Sequence, residues 1–591
     1  MRRFLRPRPG CLPFSSSALF DGIPNAQRSL PPVFRLPLFE RPAAPLEELP
    51  GHVSSLPATE ALPGMPVLTP GLNLLPPTLC VDTLGNGLKV ASQETYGQVC
   101  TVALFVEAGS MYEREDEIGA CHFLEAMAFK ATKSMGSEEV IRFTQQHGIT
   151  TGSVFNQEVL LFKVDTLRGN LRQAIKLLAD AALIPRFGET DMEEGACAII
   201  QSPPYTPRKR TLSRAPSPCP PPALTLSRPP PSFPLQAARQ TIAYQREEAM
   251  AQPSVLVAEN LWASAYGERT PQGRPEKCPP HRVAGMTAGT LKNFCARNFV
   301  APRMVLAGVG VTQRELLEAT KATPLATIPS TASALGPPTP RPRAVYRGGE
   351  VRVSPDWASL PPTVAAATSK TQFTHIMLAF PTVGWCEDAT VPLCVTDTLL
   401  GGGSSFSAGG PGKGMYSRLY REALNAYAWI ESANAFSARL YKSGLVGIYG
   451  TSPPEHAGDL ATLMCEHLKD LGVNYVKEEE LCRARNQLAS SVLMNLETRS
   501  TLVEDIGRQI LSHGKRMPLP ELTGRIQRTT AGDIRGVMRE AMAHPPSLSI
   551  VGDTSRVPPY EDFKRYFEIA SSKWGGVKPS VAAARLAAST L

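Results

Sequence analysis

The chain of 591 residues contains no run of 18 or more apolar residues, so nothing in it reads as a helix able to cross a bilayer. Its 12 cysteines include no Cys-x-x-Cys pair, which removes zinc ribbons and thioredoxin-type redox motifs from consideration. Cys121, Cys394 and Cys465 stand singly in helix-like runs and read as small core residues of a reducing compartment. Acidic residues are absent from two stretches. Residues 1–20 hold four arginines and three serines, and residues 200–240 hold six basic residues, with no Asp or Glu in either. Residues 1–50, with seven arginines against four acids, and residues 200–240 together account for the net charge of +8, and the remaining chain is near neutral. The basic balance therefore does not argue for a nucleic-acid partner, and none is expected.

The acid-free start has the composition of a mitochondrial transit peptide, and its prolines deny it the unbroken apolar core of a secretory signal. Proline is in excess, 56 residues, and it is concentrated. Residues 1–78 are expected to be transit peptide and disordered proline-rich leader. A second dense run, at about 201–236, has no apolar period and cannot continue the helices on either side. It reads as an exposed disordered insert or a retained intron.

Between these stretches strands and helices alternate. Residues 88–91 and 100–107 have strand patterning, with Asn86-Gly87 as a hairpin turn. Residues 118–129 have helical spacing, and Ser137 followed by Glu138 and Glu139 opens another helix. A strand at 159–164, a helix at 171–182, helices at 238–250 and 256–266, and a core strand at 304–311 follow. From residue 372 the order repeats, with a strand at 375–380, a helix at 390–400, a strand at 445–450 and a helix at 457–471. A long helix at 478–497 and a strand at 547–551 complete it. The pattern predicts an α+β fold of two homologous α/β-roll-like domains, duplicated strand–helix units at about 79–321 and 372–575. They face each other across a linker at 322–371 and would enclose a cavity, with a tail at 576–591.

One stretch stands apart: Gly401-Gly402-Gly403-Ser404-Ser405-Phe406-Ser407-Ala408-Gly409-Gly410-Pro411-Gly412-Lys413-Gly414. Seven of its fourteen residues are glycine, and its only charge is Lys413. So much glycine predicts neither helix nor regular strand, because glycine loses the most backbone freedom on ordering. A phosphate-cradling loop needs Ser or Thr after the lysine and a strand before it. Here Gly414 follows Lys413, and an apolar helical run precedes. A nearly uncharged loop between two firm helices suits contact with an extended ligand through its backbone.

The stretch from Gly401 to Met415, with Ser404 where a fourth glycine is usual, resembles the glycine-rich loop of the alpha subunits of mitochondrial processing peptidase, within the insulinase/pitrilysin-type metallopeptidases. The resemblance runs through Asp82-Thr-Leu-Gly-Asn-Gly-Leu-Lys-Val-Ala91, Met304-Val-Leu-Ala-Gly-Val-Gly-Val311 and Met494-Asn-Leu-Glu497, over most of residues 80–320 and 372–560. Residues 447–454 and 504–510 look like the plant and algal members. The resemblance implies a substrate-binding role for Gly401 through Gly414 in recognising presequence peptides. It also implies a heterodimer with a beta subunit that carries the zinc, in the mitochondrial matrix. In plant-like lineages it further implies a role as a core subunit of respiratory complex III on the matrix side of the inner membrane.

In catalytic members an inverted motif, His-x-x-Glu-His, supplies two zinc ligands four residues apart on one helix face, with the glutamate as general base. This chain has His122-Phe-Leu-Glu125-Ala126, so one ligand is missing. The resemblance implies a third ligand from a distal glutamate. Matching backwards from Ala263-Ser-Ala-Tyr266 puts Gln245 near that position, with Glu247 and Glu248 close by. Catalytic zinc needs three protein ligands. His122, Glu125 and Ala126 are therefore read as a degenerate motif, His122 as a partly buried structural histidine, and no cofactor is expected in this chain. A self-sufficient zinc peptidase is the contrasting reading, and Ala126 stands against it.

Overall fold

The computed structural model describes residues 78–132, 134–183, 187–188, 233–331, 337–354, 373–404 and 414–572. The expected transit peptide, most of the insert, residues 405–413 of the glycine stretch and the tail lie outside them.

The first sheet is built from β1 (Leu79–Thr83), β2 (Lys89–Gln93), β3 (Val99–Val106), β4 (Thr150–Phe155), β5 (Leu160–Leu167) and β8 (Met304–Val309) in the order β1-β2-β8-β3-β5-β4. The pair β6 (Phe187–Gly188) and β7 (Phe233–Pro234) lies apart from it. The second sheet takes β9 (Gly349–Val353), β10 (Thr374–Thr382), β11 (Gly402–Ser404), β12 (Ser432–Arg439), β13 (Gly444–Ser452) and β14 (Ser547–Val551) in the order β11-β12-β13-β10-β14-β9. Five strands correspond: β4-β5-β3-β8-β2 in the first sheet and β12-β13-β10-β14-β9 in the second. Among the described residues the one parallel pair in each of these sheets is the same, β2 with β8 and β9 with β14. The fold is therefore two homologous α+β units. The repeat is closed differently at its ends, because β1 extends the first sheet at one edge and β11 extends the second at the other.

Helices α1 (Ala120–Met127), α2 (Ser137–His147), α3 (Leu171–Leu183), α4 (Leu235–Met250), α5 (Pro253–Tyr266), α6 (Pro280–Val283), α7 (Ala288–Asn298) and α8 (Gln313–Lys321) precede β9. Those after β10 are α9 (Thr390–Leu400), α10 (Ala457–Val473), α11 (Glu478–Glu497), α12 (Arg499–His513), α13 (Leu519–Arg528), α14 (Ala531–Met542) and α15 (Tyr560–Ser572). β3 is buried on both faces, so it reads as a nearly continuous apolar run rather than an alternating one. One face, with Val102, Leu104 and Val106, joins the core under α1, α3 and α7. The other, with Ala103 and Phe105, meets Leu502, Val503, Ile506 and Ile510 of α12. The second sheet is covered reciprocally. Leu261, Ala265 and Tyr266 of α5 pack against Ala379 and Leu445, and Leu256 and Val257 pack against Val551. Each sheet thus has its second face covered by a helix from the other half of the sequence, and folding of either half exposes apolar surface until the other arrives.

Three sequence expectations need correction. Helix α4 begins at Leu235, inside the expected insert, because Leu235 is 3% exposed and belongs to the first core. The expected linker contains β9, which pairs in register with β14 from Ser547↔Gly349 to Val551↔Val353. The glycine stretch does begin as a strand: Gly402, Gly403 and Ser404 pair with Asn434, Ala433 and Ser432. A ready-made edge supplies the hydrogen bonds that offset the entropic cost of ordering glycine.

Candidate functional site

Helix α1 carries the degenerate motif. Gly119, at φ +99°, turns the chain into it, and a Cβ there would lie 2.3 Å from Cys278 Sγ. The buried Glu113 carboxylate accepts the N–H groups of Gly119 (2.8 Å) and Cys121 (2.7 Å), satisfying two donors at the helix start. Burial pushes the Glu113 carboxyl up to about 7 even against those two hydrogen bonds.

His122 is 1% exposed. The Cys278 N–H donates to its Nδ1 at 3.3 Å, and its Nε2 lies 3.0 Å from Gln245 Oε1 on α4. A backbone N–H can only donate, so Nδ1 is the acceptor and the neutral ring carries its proton on Nε2, which donates to the amide oxygen. Burial holds the imidazole neutral and lowers its pKa to about 4. Both ring nitrogens are committed, so no lone pair remains for a metal. Ala126, one turn on, offers no donor atom, and Gln245 presents an amide rather than a carboxylate to the imidazole. Glu247 and Glu248 are exposed. These residues do not fit a three-ligand zinc site. Matching backwards from Ala263–Tyr266 pointed to Gln245, which the fold does bring to His122; the sequence had no signal for Cys278, which arrives from a loop 156 residues away.

The acids around the motif are perturbed by the same burial. Glu125 is raised, by burial first, with Lys277 opposing. Glu276 is raised to about 7, by burial and then by the charges of Glu259 and Glu125. Glu259 itself is held by Arg246, at 2.7 and 2.9 Å.

The glycine stretch leaves α9 by two left-handed glycines. Gly401 (φ +56°) would put a Cβ 2.4 Å from Ser417 Cβ, and Gly402 (φ +114°) would put one 2.0 Å from the Ala433 carbonyl. Past residue 413, the second of the two helices expected to flank the stretch, residues 415–424, forms only in part. The chain turns through Gly414–Ser417 and is helical only from Arg418, passing into a π-helix at Tyr420–Leu424 whose Tyr420 ring lies against Gly403.

These features define a peptidase-like chain of duplicated α+β units whose zinc motif lacks both a ligand and a free imidazole. Residues 89–202 match the family description "Insulinase (Peptidase family M16)", and residues 285–488 match "Peptidase M16 inactive domain". The mitochondrial-processing peptidase subunit alpha of Bos taurus is 30% identical, over 81% of this chain and 83% of that protein. The probable alpha-1 subunit of Arabidopsis thaliana is 31% identical, over 83% of this chain and 85% of that protein. The chain belongs to the family of mitochondrial-processing peptidase alpha subunits. A chain of the complex III2 structure from Candida albicans shares the fold, with a TM-score of 0.61 at 18% identity, covering 83% of this chain and 99% of that one. No described helix is long and apolar enough to cross a membrane.

Proposed function

We propose that this chain is the non-catalytic, substrate-recognising subunit of a mitochondrial processing peptidase. It binds presequences of imported precursors through the stretch Gly401–Gly414, for cleavage by a beta subunit that carries the zinc. It works in the mitochondrial matrix, either free or held on the inner membrane in complex III. The observation that carries the non-catalytic role is the imidazole of His122, bonded at both nitrogens beside Ala126. A complex III chain shares the fold, and co-purification from mitochondria separates a soluble subunit from one held in that complex.

The purified chain is expected to retain no stoichiometric zinc after gel filtration and to cleave no presequence alone, while a beta subunit added to it restores cleavage. One equivalent of retained zinc by atomic emission overturns the assignment. Ala126→His adds one ligand but leaves Gln245 and the bonded His122 in place, so it is expected to create neither zinc binding nor activity.

A further inference from the structure

Three aromatic rings stand together on the surface of the second half. The turn Tyr427–Ile430 leads from the π-helix into β12, whose first residue, Ser432, pairs with Ser404 of β11. The Tyr427 N–H donates to the Ala423 carbonyl at 2.9 Å and the Ile430 N–H to the Tyr427 carbonyl at 3.2 Å, so the turn is held at both ends. Ile430 is buried, and Trp429 is half-buried against the core of the second half. His456, at the entry to α10, stacks on Trp429 at 4.8 Å between centroids and 18° between planes, and Tyr427 lies against Trp429 at 5.4 Å and 44°. The Asp459 carboxylate accepts the His456 Nδ1–H at 3.1 Å, which steadies the imidazole on the indole. Tyr427 is 40% exposed, and a contiguous aromatic patch left at the surface marks a place of contact.

The charge around the rings selects the ligand. Residues 455–480, from the turn before His456 through α10 into α11, hold seven acids against two lysines, and Glu455 and Asp459 are exposed next to the imidazole in the chain. Exposed rings stack on nucleobases or on guanidinium groups, and this excess of acid repels phosphate and attracts cations. Residues 1–20 of this chain, read as a presequence, carry four arginines and no acid. We propose that Tyr427, Trp429 and His456 form a platform for arginine side chains of the presequence, with Glu455 and Asp459 supplying the countercharge. The proposal rests on the reading of this chain as the presequence-binding subunit. A planar guanidinium lies flat on a ring and keeps its in-plane N–H groups for a carboxylate, whereas the compact ammonium of lysine holds its water. The rings therefore set specificity, arginine over lysine, and take no part in bond cleavage.

The test uses the full chain reconstituted with its beta subunit and two fluorescent presequence peptides that differ only in carrying arginine or lysine at the basic positions. The native complex is expected to give the lower KM for the arginine peptide. Tyr427→Ala is expected to raise that KM by about two- to five-fold, the range of one exposed cation–π contact, to raise the lysine peptide's KM less, and to leave kcat within about two-fold. Tyr427→Phe keeps the ring and is expected to keep the preference. An arginine-over-lysine preference that is unchanged in Tyr427→Ala overturns the proposal, even where both KM values rise, because a merely structural change moves both alike. So does binding of a single-stranded oligonucleotide that Tyr427→Ala abolishes while KM stays the same, which would assign the rings to nucleic acid. If the beta subunit alone cleaves the arginine peptide with the KM of the native complex, the presequence-binding reading itself falls. Should Tyr427→Ala fail to fold, His456→Leu removes the other flanking ring and gives the same comparison.

Discussion

Acid should destabilise this protein through His122, and the size of the effect follows from the ring's surroundings. Folded, the imidazole sits against Phe155 at 5.7 Å between centroids, bonded at both nitrogens, with its pKa lowered from 6.5 to about 4, mainly by burial. Unfolded, it titrates near 6.5. Because the folded value is the lower one, the contribution is fully present above pH 6.5 and is lost as pH falls towards 4. The gap corresponds to ~3.4 kcal/mol at full protonation, of which about 2 kcal/mol is gone by pH 5. Glu113 and Glu276, raised to about 7, have the opposite sign: stability they give when protonated is lost as pH rises from 4.5 to 7. Their effect is common to wild type and variant and cancels in the difference. His122→Asn keeps an acceptor for the Cys278 N–H but does not titrate. At pH 7.5 it is expected to be ~1–2 kcal/mol less stable than wild type, for the lost ring packing and the lost bond to Gln245. Urea unfolding followed by circular dichroism at intervals from pH 7.5 to 4.5 should show that deficit vanish near pH 5. A difference that stays flat over that range would mean the ring is not held neutral, and the argument against a metal at His122 would go with it.

The interlocking of the halves and the buried ion pair give further expectations. A Cβ at Gly507 would lie 2.0 Å from the Phe105 ring, so Gly507→Ala should cost ~1–3 kcal/mol in thermal or urea unfolding by forcing α12 off the first sheet. Arg297, 2% exposed, pairs with Glu117, and Glu117→Ala should cost ~3–5 kcal/mol by leaving the guanidinium unpaired. Deleting residues 201–232 should leave the melting temperature and beta-subunit binding nearly unchanged, because β6 and β7 already bring the flanking residues together and each halving of such a loop alters closure by only ~0.6 kcal/mol. Extending that deletion to Gln236 removes Leu235 from the core and should cost ~2–5 kcal/mol.

Periodicity located the elements that bury a face of their own. Helix α11 and strand β14 fall at Glu478–Glu497 and Ser547–Val551, where the sequence put them. It missed β9, Gly-Glu-Val-Arg-Val, because a short half-buried edge strand alternates little, and its register comes from a partner almost 200 residues away. The reciprocal covering by α5 and α12 was equally hidden, since an apolar stripe says that a face is buried and not by which sheet. At the site, the spacing from His122 to Ala126 showed a missing ligand, and Gln245 came from matching the resemblance backwards from Ala263–Tyr266. The donor that fixes the tautomer is a backbone N–H, which every residue but proline has, so sequence carries no trace of it. Ser417 is a small polar residue inside a helical-looking run, and only the empty space at Gly401 shows what it fills.

The correspondence of the two sheets puts the two functional stretches in related places. β4 ends the first sheet beside α1: its only partner among the described residues is β5, and its Ser153 hydroxyl donates to the Glu125 carbonyl. In the second sheet the matching strand is β12, and there β11, the first three residues after the two-glycine turn out of α9, pairs onto the edge that β4 leaves open. Helix α9 matches α1 in order, so the glycine stretch starts from the end of the helix that in the first half carries the zinc motif. An unpaired edge is a template for another chain, and in the second half the chain fills that template itself. The third strand residue, Ser404, is the last before residues 405–413, and Gly402 and Gly403 tolerate the Ala433 backbone and the Tyr420 ring because neither has a side chain to collide with them. Glycine at the start of the stretch is thus required by close packing at the neck, independently of anything the rest of the stretch binds. Substitution at Gly402 should therefore be read as a structural change, and the substrate-binding proposal is tested cleanly only by changes within residues 405–412.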